Sequence, residues 1–154
     1  MRNSRTCIPA WILVLVLGSA VCGAAAQFCG YPVEGRMRFE REGDVVCAFE
    51  VGLADLPEEH EKGLMNCTGM REGFGLLFVY PGAARHTFWM KDTILPLAIV
   101  FLTTEGVVSS IRYGEPYSTR GIPSGRPVGM VLEIHRSDAD CLEVGDRAFL
   151  TRYP

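Results

Sequence analysis

Trp89, Lys91 and Asp92 lie within one short stretch, and Glu133 follows well downstream; together they have the types from which a polar binding site is built. An indole offers a flat apolar platform, an ammonium and two carboxylates offer charge, and small-molecule pockets combine apolar walls with a few placed polar groups. Strand alternation would sort His86, Phe88 and Met90 onto one face and Thr87, Trp89 and Lys91 onto the other. In the later run 128–135, Glu133 and His135 share a face opposite Met130, Leu132 and Ile134. If the faces bearing Trp89 and Glu133 line one concavity, these groups converge there, bordered by a lid around Tyr117 to Arg126. The competing reading makes Lys91 and Glu133 a structural ion pair and Trp89 a wall of the core, because buried charges are normally paired. A hydrolytic or other acid–base enzyme would use Glu133 or Asp92 as its base. Such chemistry requires positioned partners with shifted pKa values.

Other reactive patterns are sparse. No Gly-x-Ser-x-Gly elbow and no Cys-x-x-Cys pair occur, and the cysteine spacings fit no zinc pattern. His86 and Met90, with Met65, Met70 and Met130, have the softness for Cu(I), but methionine on a strand beside phenylalanine is far more often core. His60 reads as a solvated helix residue, and Glu58, Glu59 and Glu61 as the solvated face of the same helix. No metal or cofactor is expected.

The elements that must position these groups follow an export signal. Arg2 and Arg5, an apolar run from Ile8 to Leu17 and then Ala24, Ala25 and Ala26 form the order of a secretory signal peptide, with cleavage before Gln27. The uncharged stretch 6–27 is also long enough to be an uncleaved membrane anchor. Residues 27–154 form one domain, destined for the periplasm or the extracellular space, or held at the membrane by that anchor alone. All 18 acidic and 13 of 15 basic residues follow residue 26, a formal charge of −5. Lysine is represented only by Lys62 and Lys91, so no nucleic-acid footprint exists. Cys29, Cys47, Cys67 and Cys141 are expected to form disulfides, with three connectivities open.

Alternation predicts a hairpin from Arg36–Glu42 and Val45–Val51, turning at Gly43-Asp44, with Val45, Cys47, Phe49 and Val51 facing the core. Asp55, with Glu58 three residues on, predicts a capped helix near residues 56–64. Leu76–Tyr80 is continuously apolar and suits a strand buried on both faces. Further strands are expected near 86–91, 97–103, 107–113, 128–135 and 147–152. Gly114 to Pro127 is too rich in glycine and proline for regular structure. The fold expected is mainly β, an antiparallel sandwich or partly open barrel with one short helix.

Three blocks then carry a family resemblance. Ala54-Asp55 through Gly63-Leu64-Met65 is the first; the second is Gly75-Leu76-Leu77-Phe78-Val79 with Phe88-Trp89-Met90-Lys91-Asp92-Thr93 and Pro96-Leu97; the third is Val131-Leu132-Glu133 with Gly145-Asp146. In these the chain resembles the domain of unknown function 192 family. The resemblance implies an exported, jelly-roll-like β domain with one short helix and no established activity. The family usually has asparagine where Asp92 stands and an acid where Ala98 stands, so a mechanism resting on the second carboxylate is closed to this chain. The expected role is an exported binding or accessory module for a small polar ligand or an envelope protein, with Trp89, Lys91, Asp92 and Glu133 at its site. An acid–base enzyme is the second reading and a structural envelope protein the third.

Overall fold

The computed structural model describes residues 27–154. The signal-peptide expectation, on residues 1–26, lies outside them. In chain order the elements are β1 (Gln27–Phe28), β2 (Tyr31–Pro32), β3 (Gly35–Arg41), β4 (Asp44–Ala54), α1 (Pro57–Lys62), β5 (Phe74–Ala84) and β6 (Thr87–Phe88). There follow β7 (Leu97–Leu102), β8 (Val108–Gly114), β9 (Ile122–Pro123), β10 (Val128–His135), a 3-10 turn (Arg136–Cys141) and β11 (Arg147–Arg152). The protein is mainly β with one short α-helix, as its periodicity predicts.

Seven strands make one sheet in the order β11-β3-β4-β5-β10-β7-β8. All neighbours run antiparallel except β4 and β5, which pair in parallel from Glu50↔Phe74 to Ala54↔Phe78. A parallel pair needs a long crossover, and residues 55–73, containing α1, supply it. The sheet curls until its two edge strands touch: Val108 N–H donates to Asp146 O at 2.9 Å, and Ala148 N–H to Gly106 O at 2.8 Å. The result is a partly open barrel.

All seven strands line its interior, including Met37 and Phe39, Phe49 and Val51, Leu77, Leu132 and Ile134, and Val100 and Leu102. A second apolar layer covers the outer face of β5, β10 and β7, where Leu76, Phe78, Val131, Ile99 and Phe101 pack beneath Leu64, Met90 and Tyr31. The central strands are therefore buried on both sides, which explains the unbroken apolar runs in β5 and β7. This outer layer positions the candidate site.

Three local expectations need correction. The hairpin turns on Glu42 and Gly43, both at positive φ (54° and 93°), one residue earlier than expected. A bulge near Phe39 leaves Val46 without a partner, so Val45 faces solvent at 59% exposure while Cys47, Phe49 and Val51 keep their inward face. The helix is capped from Leu56 rather than Asp55: Glu59, not Glu58, reaches back, accepting from the amides of Asp55 (3.0 Å) and Leu56 (3.1 Å).

The four cysteines of the described residues form Cys29–Cys67, with Cα atoms 5.3 Å apart, and Cys47–Cys141, with Cα atoms 6.0 Å apart. The first ties β1–β2 to the segment after α1; the second ties β4 to the 3-10 turn. No helix of the described residues is long and apolar enough to cross a membrane.

Candidate functional site

Glu133 lies in the middle of β10, opposite Leu76 of β5 and Ile99 of β7. Because Val131 and Glu133 alternate with Leu132 and Ile134, its carboxyl enters the outer apolar layer rather than the barrel. It is 4% exposed. Gly63, just past α1 and at φ 47°, sits over it. A Cβ at that position would make ordinary contact with Phe78 (3.4 Å) and Glu133 Oε2 (3.7 Å), so it is the left-handed backbone of the turn over the carboxyl, rather than lack of space, that favours glycine. Tyr31 seals the same spot by donating from its hydroxyl to Gly63 O at 3.1 Å.

Nothing in the described residues compensates the carboxyl. Glu133 Oε2 is buried without a hydrogen-bond partner, and no Lys, Arg or His forms an ion pair with Glu133. Burial therefore pushes its pKa from 4.5 up to about 8. The influence is felt by two phenols. Tyr31 and Tyr80 are each raised to about 12, first by their own burial, with the Glu133 charge contributing after it for Tyr80 and after both burial and Glu59 for Tyr31.

An aromatic file flanks this centre. His60 of α1 packs on Tyr80 at 4.5 Å with the rings tilted by 40°, and Tyr80 stacks on His86 at 3.7 Å and 19°. The Nε2 of His60 bonds Ala54 O at 2.9 Å, so His60 is half-buried and pinned rather than solvated as expected. His86 Nε2 is buried without a partner, and burial, followed by the nearby His60, holds the His86 pKa below its usual range. Phe88 closes the file edge-on against Phe78 (5.0 Å) and Phe101 (5.8 Å).

The segment bearing His86 and Phe88 is strapped down by the long loop 115–127. β6 pairs with β9, Met90 N–H donates to Ser118 O and Tyr117 N–H to Thr93 O, both at 2.9 Å, and Ser124 N–H donates to His86 O at 2.9 Å. The loop thus borders this region through backbone bonds. Glu133 itself lines none of the surface clefts described.

Of the residues singled out from sequence, Trp89 and Lys91 come together and Glu133 stands apart from them. Alternation holds along 86–90, but its sense is the reverse of the one expected to matter: His86, Phe88 and Met90 turn inward, while Thr87, Trp89 and Lys91 turn outward. Only Thr87 and Phe88 are regular strand, because a turn follows at 90–93, with Thr93 N–H donating to Met90 O at 3.2 Å. Trp89 is 47% exposed with Lys91 Nζ 5.5 Å above its ring, and Asp92 is exposed at φ 52°. The Lys91–Glu133 ion pair is therefore replaced by an exposed cation–π contact and a lone buried acid. Met90 packs in the outer layer and Met130 against the barrel interior, on opposite faces of the sheet.

Lys91→Met should accordingly change stability by less than about 1 kcal/mol, since an exposed cation–π contact is worth no more. A thermal melt decides this; a loss of several kcal/mol would mean that Lys91 does neutralise a buried carboxylate.

Tyr80, Gly63 and Tyr31 join this site without being singled out by the sequence, whereas the sequence marks His86 only as a soft-metal candidate and His60 only as a solvated helix residue. The signal for Tyr80 was present: it lies two and four residues beyond Phe78 and Leu76, hence on the face that Glu133 shares. His60, Gly63 and Tyr31 arrive through the crossover and the amino-terminal strands, whose placement over the sheet is a tertiary event.

A neutral carboxylic acid near pH 7, with two phenols in electrostatic reach, can donate or accept a proton and can bind a group carrying N–H donors. Chains of solved structure share this fold. A protein from Sinorhizobium meliloti 1021, named as a "putative transcription regulator", is 31% identical over 78% of this chain and 95% of its own, with a TM-score of 0.73. A protein of unknown function from Novosphingobium aromaticivorans DSM 12444 is 28% identical over 74% of this chain and 83% of its own, with a TM-score of 0.69. No curated protein matches the chain. Residues 38–149, which run from within β3 to within β11 and include the Gly63 turn and Glu133, match the model of DUF192, described as Uncharacterized ACR, and the chain belongs to that family.

Proposed function

We propose that the protein is an exported, single-domain binding module whose small polar ligand is recognised by Glu133. The observation that carries this reading is the buried Glu133 Oε2 without a partner. Such an atom forfeits its hydration with no return, a cost of about 1–3 kcal/mol or more, and an apolar side chain would pack there without it. A ligand with a cationic or N–H group supplies the missing partner. The aromatic file of His60, Tyr80 and His86 supplies stacking walls for the remainder. Entry requires the roof formed by the Gly63 turn and the strapped 86–93 segment to part. Trp89 and Lys91, on the outer side of that segment, then meet a ligand or an envelope partner at the surface.

Export is part of the proposal. The charged, apolar and small-residue order of residues 1–26 supports it, and two disulfides are compatible with an oxidising compartment. A transcription-regulator role is not proposed, because the chain carries two lysines and a formal charge of −5 after residue 26.

Native mass spectrometry on protein recovered from the envelope fraction, followed by a screen of amines, amides and guanidinium compounds, tests the reading. The expected result is a chain beginning at Gln27 and a retained nitrogenous ligand whose affinity falls at least about tenfold in Glu133→Gln, the loss typical of a charged hydrogen bond. A chain retaining residues 1–26 would make it membrane-anchored instead. Equal occupancy in wild type and Glu133→Gln, or none with any compound, would remove Glu133 from recognition. The second reading, an acid–base enzyme, rests on the same acid held protonated near neutrality; release of a captured compound in altered form would mark it.

A further inference from the structure

A separate site, lined by none of the Glu133 cluster, is built where β8 ends and the long loop turns back. Charge is unevenly distributed in this chain. Between Phe74 and Leu132, Arg85, Lys91, Arg112, Arg120 and Arg126 face only Asp92, Glu105 and Glu115, a local charge of +2 in a chain whose remainder after residue 26 carries −7. Two of these arginines line a cleft of about 430 Å³, together with Tyr113, Ile122, Pro123 and the backbone of Gly121 and Gly125. Its one carboxylate, Glu115, is engaged by Arg136, whose Nη2 donates to Glu115 Oε1 at 2.6 Å. Arg112 and Arg120 have no carboxylate within ion-pair distance among the described residues.

The cleft is pre-formed. Pairing of Thr87 with Pro123 and of Phe88 with Ile122 fixes its wall, and the bonds from Met90 N–H to Ser118 O and from Tyr117 N–H to Thr93 O hold the loop in register. A side chain on Gly121 would begin 2.9 Å from Thr87, so glycine is what brings the loop this close. Two uncommitted guanidiniums beside an exposed phenol and two apolar walls match one ligand chemistry, an anionic head on a flat or apolar body. We infer that this cleft binds a small organic anion, a carboxylate or phosphate, with Arg112 and Arg120 on the head and Tyr113, Ile122 and Pro123 against the body.

The test is a titration of the isotope-labelled protein with phenyl phosphate, benzoate, inorganic phosphate and neutral benzamide, following the amide signals of Gly121 and Gly125. Phenyl phosphate or benzoate should shift both signals saturably, with inorganic phosphate and benzamide at least about tenfold weaker, since each lacks one half of the ligand. Arg112→Gln with Arg120→Gln should cost at least another tenfold; both side chains are exposed, so the remaining amide spectrum serves as the check on folding, and Arg120→Gln alone replaces the pair if it changes. The inference is overturned by no saturable shift with any probe, by benzamide binding as well as benzoate, or by inorganic phosphate binding as well as phenyl phosphate. Unchanged affinity in the arginine variants would do so as well.

Discussion

Raising the pH from about 5 to about 8 is expected to destabilise the folded protein, and Glu133→Gln is expected to abolish most of that loss. The direction follows from burial. The folded state holds the Glu133 proton up to about pH 8, whereas the unfolded chain releases it near 4.5. Below 4.5 both states are protonated and the group contributes nothing to pH dependence; between the two values the unfolded state gains by ionising while the folded state does not. Stability contributed by the neutral acid is therefore present at low pH and lost as pH rises towards about 8. At about 1.4 kcal/mol per pH unit the loss between about pH 5 and about pH 8 is on the order of 3–4 kcal/mol. His86 acts in the opposite sense, because its lowered pKa makes the folded state unwilling to charge, but its contribution ends near its ordinary value of 6.5. The window from about 6.5 to about 8 thus belongs mainly to Glu133. Denaturant midpoints of wild type and Glu133→Gln measured across that window check the expectation. Parallel curves would show that the carboxyl is compensated in solution.

Removal of the Cys47–Cys141 disulfide is expected to be the most damaging covalent change. The bridge closes a loop of 94 residues, and the constraint it places on the unfolded chain is worth about 4–5 kcal/mol in the chain-entropy account. Cys47 is also 8% exposed and packed in the barrel interior, so its loss leaves a small void beside Phe49 and Leu142. Cys29–Cys67 closes only 38 residues and should matter somewhat less, about 4 kcal/mol. Cys47→Ala with Cys141→Ala should lower the melting temperature by on the order of 10–20 °C. The comparable change at Cys29 and Cys67 should instead loosen the outer layer, where Tyr31 touches Gly63. Equal melting of wild type with and without reductant, with free thiols demonstrated in the reduced sample, would contradict both.

Some of this architecture is readable without coordinates. The hairpin of β3 and β4 and the shared face of Leu132 and Ile134 follow from periodicities of two, because a strand sends alternate residues to opposite faces whatever it pairs with, and the doubly buried β5 follows from its unbroken apolar run. The family blocks around Gly63, Phe88 to Thr93 and Glu133 are likewise visible as sequence. The parallel pairing of β4 with β5 was not, since a six-residue helix looks too short for a crossover until the irregular residues on either side are seen to complete it.

The candidate site divides along the same line. Alternation in the chain determined that Glu133 lies opposite the barrel-facing residues of its strand, and that Trp89 and Lys91 share a face. Only the tertiary structure decided which of those faces is covered. α1, the Gly63 turn and the strapped 86–93 segment settle onto the outer face of β5, β10 and β7, placing Glu133 under an apolar roof and leaving Trp89 and Lys91 in water. The physical reason is that side-chain direction is a local property of the backbone, whereas burial depends on what distant segments bring to that face. The acidity of Glu133 inherits that dependence, because it is set by the lost hydration and not by the residue type.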